Sequence, residues 1–299
     1  MRLLVQTRRL LSLAVLACGV AAPLSAQRKV ERRIAVDGDA SIRLWNNFGS
    51  IRVVGWDRDS LVVTATLGRA AEGGLRFGGK GQFAKMYVDA PTDGRADAAA
   101  QIEVHVPRRS RVWVKSMTAD IEVVGVVGAV DANSVSGRMR ISGALRELNA
   151  ETMDGEVEID GTATVLRAKT ASGGIRLRGG GDDVGLTTVS GALFISGEKF
   201  QGARVESVTG DIHFDGRLDR NGSFTFESHS GAIDLAFPPE MPALIEIRSF
   251  AGEIHNQYTK ASPTPGPTGR GRQLTLASEL GGASVSVRSF KGVITLRRR

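Results

Sequence analysis

From residue 111 to 296, apolar and polar residues alternate in short bursts, and the bursts recur. Each reads apolar-x-apolar-x-Ser/Thr-x-x-Gly-x-apolar-x-apolar, usually followed by x-Gly. With the central glycine as position zero, the pattern falls at Gly137, Gly155, Gly173 and Gly191, at one fixed spacing. Ala119 holds the slot one period earlier. Copies continue with looser spacing at Gly210, Gly231, Gly252 and Gly292, and an isolated early copy sits at Gly49.

Four columns, at −7, −5, +2 and +4, are apolar in every repeat of this array except at Asn256. Val130, Ala132, Met139 and Ile141 fill them in one repeat, and Leu166, Ala168, Ile175 and Leu177 in another. Apolar residues two apart lie on one face of a strand. Their fixed register from repeat to repeat predicts coils stacked about 4.8 Å apart with like residues superposed. The expected fold is therefore all-β: a single-stranded parallel β-helix, or β-solenoid, of 18-residue coils, with a right-handed path favoured by the rule for parallel crossovers. The period-2 pattern, β-branched residues and glycines exclude a helical solenoid. A propeller blade is more than twice as long.

Position −3 is polar yet shares the parity of the buried columns. It holds Ser116, Ser134, Thr152, Thr170, Thr188, Ser207, Ser228, Ser249 and Ser289, with Asn46 in the early copy. A hydroxyl there can accept from a turn N–H and donate to the hydroxyl of the next coil, so a hydrogen-bonded ladder of corner residues is expected, not a set of nucleophiles. The zero-position glycines are read as turn residues supplying positive φ, which would leave Ala119 strained or its turn different. Outward columns alternate in charge (Glu122, Arg140, Glu158, Arg176; Asp120, Arg138, Glu156), which favours opposite-charge pairs between neighbouring coils.

The ends are less regular. Arg8 and Arg9, an apolar run from Leu10 to Val20, and Leu24-Ser25-Ala26 read as an export signal over residues 1–26. A transmembrane anchor and lipoprotein processing at Cys18 are the competing readings, and no later segment is apolar enough to span a bilayer. Residues 27–299 then form one solenoid domain: irregular N-terminal coils over 27–110 with a loop at 68–82, and regular coils over 111–299 with a Pro/Gly-rich loop at 259–272. The coil at about 283–296 is expected to close the array, and Arg297-Arg298-Arg299 to discourage end-to-end pairing.

The units Ser134-Val135-Ser136-Gly137 and Ser207-Val208-Thr209-Gly210-Asp211-Ile212, the approach Val104-His105-Val106-Pro107 and the ending Ser289-Phe290-Lys291-Gly292-Val293-Ile294 resemble the bacterial putative-adhesin β-strand-repeat family of unknown function. The resemblance spans roughly residues 30–299. It implies an exported β-strand-repeat protein and supplies no catalytic residues.

Candidate chemistry is sparse. Cys18, the only cysteine, lies in the leader, so a processed chain has neither disulfide nor thiol chemistry. The formal charge of +7 falls to about +4 once the leader's three arginines are removed, with the charges interspersed; this is no nucleic-acid footprint. His213 and His255 share an outward column but are separated by the coil carrying Asp234, too far apart for one zinc ion. Asp154 with Glu156, or Asp182 and Asp183, could serve a polysaccharide-cleaving enzyme or, in Gly179-Gly180-Gly181-Asp182-Asp183, a calcium repeat, but that stretch occurs once. No phosphate-binding glycine loop is present, so no cofactor or metal is expected. Trp45, Trp56 and Trp113 gather near the N-terminal end, where they read mainly as a cap over the first coil and secondarily as sugar-stacking rings.

The expected function is that of an exported, non-catalytic, adhesin-like interaction protein of the envelope or surface, periplasmic or extracellular, with an envelope glycan or a surface protein as partner. A carbohydrate-active enzyme and a purely structural envelope protein are the alternatives. A localised function is expected where the repeat fails: at 68–82, the tryptophans, Asn256 or 259–272.

Overall fold

The computed structural model describes residues 28–71, 74–91, 96–267, 269–279 and 281–299. The expected export signal and the Cys18 processing site lie outside these residues. Every alternating segment forms a strand. In chain order these are β1 (Arg28–Trp45), β2 (Gly49–Trp56), β3 (Ser60–Leu67), β4 (Gly74–Asp89), β5 (Ala100–Pro107), β6 (Arg111–Lys115), β7 (Asp120–Val124), β8 (Ala129–Ser134), β9 (Met139–Thr152) and β10 (Val157–Thr170). They continue as β11 (Ile175–Thr188), β12 (Leu193–Ser207), β13 (Ile212–Ser228), β14 (Ile233–Phe237), β15 (Ala243–Ser249), β16 (Ile254–Asn256), β17 (Thr264–Pro265), β18 (Arg272–Ala277), β19 (Ala283–Ser289) and β20 (Ile294–Arg298). Part of the glycine-rich stretch read as a loop is thus strand, because β4 begins at Gly74.

In the middle of the chain, like columns superpose. Val157 pairs with Met139 on one side and Ile175 on the other, and Leu166 with Leu148 and Val184. These residues are almost wholly buried, so the repeated columns are the core. Three long strands, β9, β10 and β11, each run unbroken through a corner, at Gly143, Gly161 and Gly179 in turn. All three glycines have positive φ, in the region that suits glycine.

The all-β class stands, but the expected single-stranded parallel β-helix does not form. All strands belong to one mixed 20-stranded sheet. Within it, β1, β3, β5, β2, β7, β9, β8 and β6 pair in succession and return to β1, closing an eight-strand ring with both parallel and antiparallel steps. The first strand makes this possible: its first half pairs antiparallel with β3, and its second half lies between β4 and β6. Further strands extend the ring.

Their order is not sequential either. Strand β19 lies between β13 and β15, and β20 between β14 and β16. The last repeat is therefore an interior rung and does not close the array. The outer position falls to β15, whose free edge is paired antiparallel by β18. This reversal covers an edge that a purely parallel stack would leave open.

Asn256, the break in the apolar column, is where the chain leaves the stack. Its amide donates to the Thr259 hydroxyl and the Ala261 carbonyl (2.8 and 2.7 Å), while its Oδ1 accepts from the Tyr258 and Thr259 N–H groups. Nor do the C-terminal arginines act as a free charged edge. Arg297 pairs with Asp234 at 3.0 Å, Arg298 donates to the Tyr258 carbonyl at 2.8 Å, and Arg299 meets Glu198 and Asp215.

Candidate functional site

The zero-position glycines sit at a corner, but positive φ is not why they are glycine. Among them only Gly49 has it. At Gly137, Gly155, Gly173, Gly191, Gly210, Gly231, Gly252 and Gly292 a β-carbon would lie between 1.8 Å and 2.2 Å from a carbonyl oxygen of the neighbouring rung. Close backbone approach between rungs, not turn conformation, excludes a side chain there. Ala119 is accordingly unstrained. The rung beneath it is the Asn47–Gly49 turn, whose Asn47 carbonyl accepts from both the Thr118 and the Ala119 N–H groups, whereas corners such as Gly137 and Gly155 give the zero-position N–H to the Ser134 and Thr152 hydroxyls.

The hydroxyl column is buried at every position. Ser134, Thr152, Thr188, Ser249 and Ser289 accept the N–H of the zero-position glycine three residues on, at distances from 2.8 Å to 3.1 Å. Their outgoing bonds go to backbone, not to the next hydroxyl as expected. Ser134, Thr152 and Thr170 donate to the carbonyls of Met117, Val135 and Met153, while Ser116, Ser207 and Ser228 donate to the carbonyl of their own corner. None is arranged as a nucleophile with a base.

Between hydroxyl and glycine lies position −2, which carries no signal in the motif yet makes a distinctive surface. Met117, Val135, Met153, Val189, Val208, Phe290 and Phe250 are all exposed there, Met153 at 58%. Backbone hydrogen bonds link successive corners (Val135 N–H to Met117, Met153 N–H to Val135, Val189 N–H to Ala171), so these side chains stand one above another. The row ends in a stack of His229, Phe290 and Phe250, with ring centroids 4.9 and 5.1 Å apart and planes within 8°. At about 4.8 Å per rung, the apolar ridge runs roughly 40 Å. An apolar row at an exposed corner, where polar turn residues are the norm, was its only sequence signal.

A second surface lies on the outward side of the N-terminal strands. The tryptophans do not cap the stack; β3, β4 and β5 do. Instead, register places Lys85, Arg43 and Trp113 side by side, and Tyr87, Trp45 and Lys115 in the row beside them. The Arg43 guanidinium lies 5.7 Å from the Phe83 ring centre and 5.2 Å from that of Trp113, with Arg111 5.7 Å from Trp113. A shallow cavity of about 270 Å³ opens over Arg43, Trp45, Trp113 and Lys115. Trp56 is elsewhere, its indole N–H donating to the Ser60 carbonyl beneath Arg58.

The remaining candidates are dispersed. Two strands, carrying Asp234 and Thr295, separate His213 from His255, where one was expected. Three rung spacings are too wide for one metal ion to bridge. His213 instead stacks on Phe194, which also lies under Arg176. Of the candidate acids, Asp183 pairs with Arg167 and Glu156 with Arg138, while Asp154 accepts from the Ser172 hydroxyl at 2.7 Å. At the C-terminal end, the hydrogen bond from Arg299 holds the Glu198 carboxyl below its usual range and raises the Arg299 guanidinium in turn.

Solved structures to which the chain is similar include a putative lipid binding protein from Parabacteroides distasonis (13% identity, 91% of this chain and 98% of that one, TM-score 0.44) and a putative adhesin from Bacteroides fragilis (13%, 92% and 99%, 0.40). A putative cell adhesion protein from Clostridium sporogenes aligns at 9% identity over 91% of this chain and all of its own, with a TM-score of 0.25. Likeness this distant carries no argument about a ligand. No curated protein matches the chain. The pattern of one family does, over residues 94–296, which include the whole 111–296 array: the chain belongs to the Toastrack DUF4097 family.

Proposed function

We propose that this protein is exported and acts at the cell envelope or surface as an adhesin-like, non-catalytic binding protein whose partner is another protein. The apolar ridge at position −2 carries this reading. Seven exposed apolar side chains in one line present an area on the order of several hundred Å², the scale at which an exposed patch marks an interaction surface. A purely structural rod has no use for such a row, because the corner needs only the hydroxyl and the glycine. The flanking acids are engaged with arginines along the ladders, an arrangement that serves register more than hydrolysis.

Binding of the purified full chain to envelope fractions and intact cells of the producing organism tests this. Saturable binding to a protease-sensitive component is expected, weakened at least tenfold by the pair Val189→Lys and Val208→Lys. Undiminished binding by that variant, or turnover of a polysaccharide by the wild-type chain, would overturn the reading.

A further inference from the structure

We infer that the outward face of β1, β4 and β6 is a binding site for an acidic saccharide, one whose sugar units carry carboxylates. The site is separate from the apolar ridge and uses different chemistry. Phe83, Tyr87, Trp45 and Trp113 offer aromatic rings on three paired strands. Strand geometry sets their intervals, about 4.8 Å across the sheet and about 6.8 Å along it. Phe83 and Tyr87 are exposed and the tryptophans half-buried. Rings spread over a flat sheet can meet the apolar face of a pyranose wherever an arginine does not already cover them.

Cations are interleaved with the rings. Arg43, Lys85 and Lys115 have no carboxylate within ion-pair distance among the described residues, which is unusual in a protein whose other arginines are so often matched across ladders. Arg43 is held between Phe83 and Trp113, so its planar fork is set before a ligand arrives. Acids near this face include Glu147, which pairs with Arg111 at 3.5 Å, Asp89, which pairs with Arg76 at 3.4 Å, Asp131, which accepts from Asn133 at 2.5 Å, and Asp37 and Asp39, which accept from Gln82. Arg43, Lys85 and Lys115 stay unmatched among the rings, so the centre of the face is positive.

Charge complementarity therefore selects an anionic ligand, and the rings select a sugar chain over an isolated anion. A neutral glycan would leave Arg43, Lys85 and Lys115 unanswered. Phosphate headgroups of a membrane would answer the charges but leave the rings without a ring-shaped partner.

Isothermal titration of the full chain with a polygalacturonate oligomer, a neutral galactan oligomer of equal length and phosphatidylglycerol vesicles tests the inference. Saturable binding of the acidic oligomer is expected, at least tenfold tighter than the neutral one and falling steeply with salt. Arg43→Gln and Trp113→Ala should each weaken it at least tenfold. Arg43→Gln is a surface change that leaves the fold in place, so its effect stands even if Trp113→Ala fails to fold. The inference falls if the acidic oligomer does not bind, if both variants bind it as the wild type does, or if the vesicles alone are bound. Val189→Lys with Val208→Lys should leave oligomer binding unchanged, so the fate of this site and that of the ridge are read independently.

Discussion

The carbonyl oxygen of Ala119 stands 2.0 Å from where a β-carbon on Gly137 would be. The same relation recurs up the corner, with Gly155 against Gly137 at 2.2 Å and Gly173 against Gly155 at 1.9 Å. Rungs at hydrogen-bonding distance leave no room for a methyl group where two corners meet face to face.

Substitution at this corner should therefore fail by collision. Gly155→Ala is expected to cost about 1–3 kcal/mol or more, as overpacking does, and to lower the thermal midpoint clearly. Gly155→Asn should be no better, although asparagine would rescue a position that merely needed positive φ. Arg138→Ala, one residue from Gly137 but exposed, should stay within about 0.5 kcal/mol. A Gly155→Asn protein as stable as wild type would disprove the collision account.

The corner hydroxyl joins two backbone groups that would otherwise be buried without partners. Thr152 accepts the Gly155 N–H at 3.1 Å and donates to the Val135 carbonyl at 3.2 Å. Thr152→Val keeps the shape and removes both bonds. A loss of about 1–3 kcal/mol is expected in chemical denaturation, with Thr152→Ser recovering most of it.

The last repeat is interior to the stack. Val287→Asp, in β19, should therefore destabilise as severely as Val205→Asp in the middle of the array, although it lies near the chain's C-terminus. Both side chains are wholly buried, and each is flanked by rungs on two sides, Val287 by Phe226 and Ile247. A burial cost of several kcal/mol applies to either unpaired carboxylate. Parallel expression and thermal melts of the two variants check this; a benign Val287→Asp would place β19 at the rim.

Glu198 and Arg299 tie the C-terminal residue to β12. Because the glutamate's carboxyl is held below its usual range in the folded chain, their contribution to stability is present at neutral pH and fades as acid protonates it. Glu198 is exposed, so the effect is small. Arg299→Gln should lower the melting temperature slightly at pH 7, and the difference from wild type should shrink as the pH falls below the ordinary carboxylate range. A difference that grows with acid would mean that Arg299 acts through some other group.

Across the regular repeats from β9 to β12, periodicity was enough to specify which residues form strands, which face inward and which stack on their counterparts. The side-chain alternation of a strand and a fixed offset between repeats are both local, and the places of Val157, Ile175 and Leu193 follow from them directly. Asn256 was marked in the same way as a point of departure. The apolar ridge escaped the same reading because a corner residue belongs to neither parity, and its exposure depends on how the corner folds. Trp45 and Trp113 were marked secondarily as sugar-stacking rings, but the rest of the aromatic and cationic face escaped because Tyr87 and Lys85 reach Trp45 and Arg43 only through the pairing of β4 with β1, two strands far apart in the chain.

Rung order was decided only in three dimensions, and the physical reason is degeneracy. The repeats ending at Asn256 and at Leu296 share three apolar columns and differ at the fourth, so three of the four columns leave open which one pairs with the rung of Phe224 and Leu235. The reach of the intervening loops and the need to cover an open sheet edge broke the tie. They placed β19 and β20 inside, turned β3 and β18 antiparallel, and closed the ring through β1.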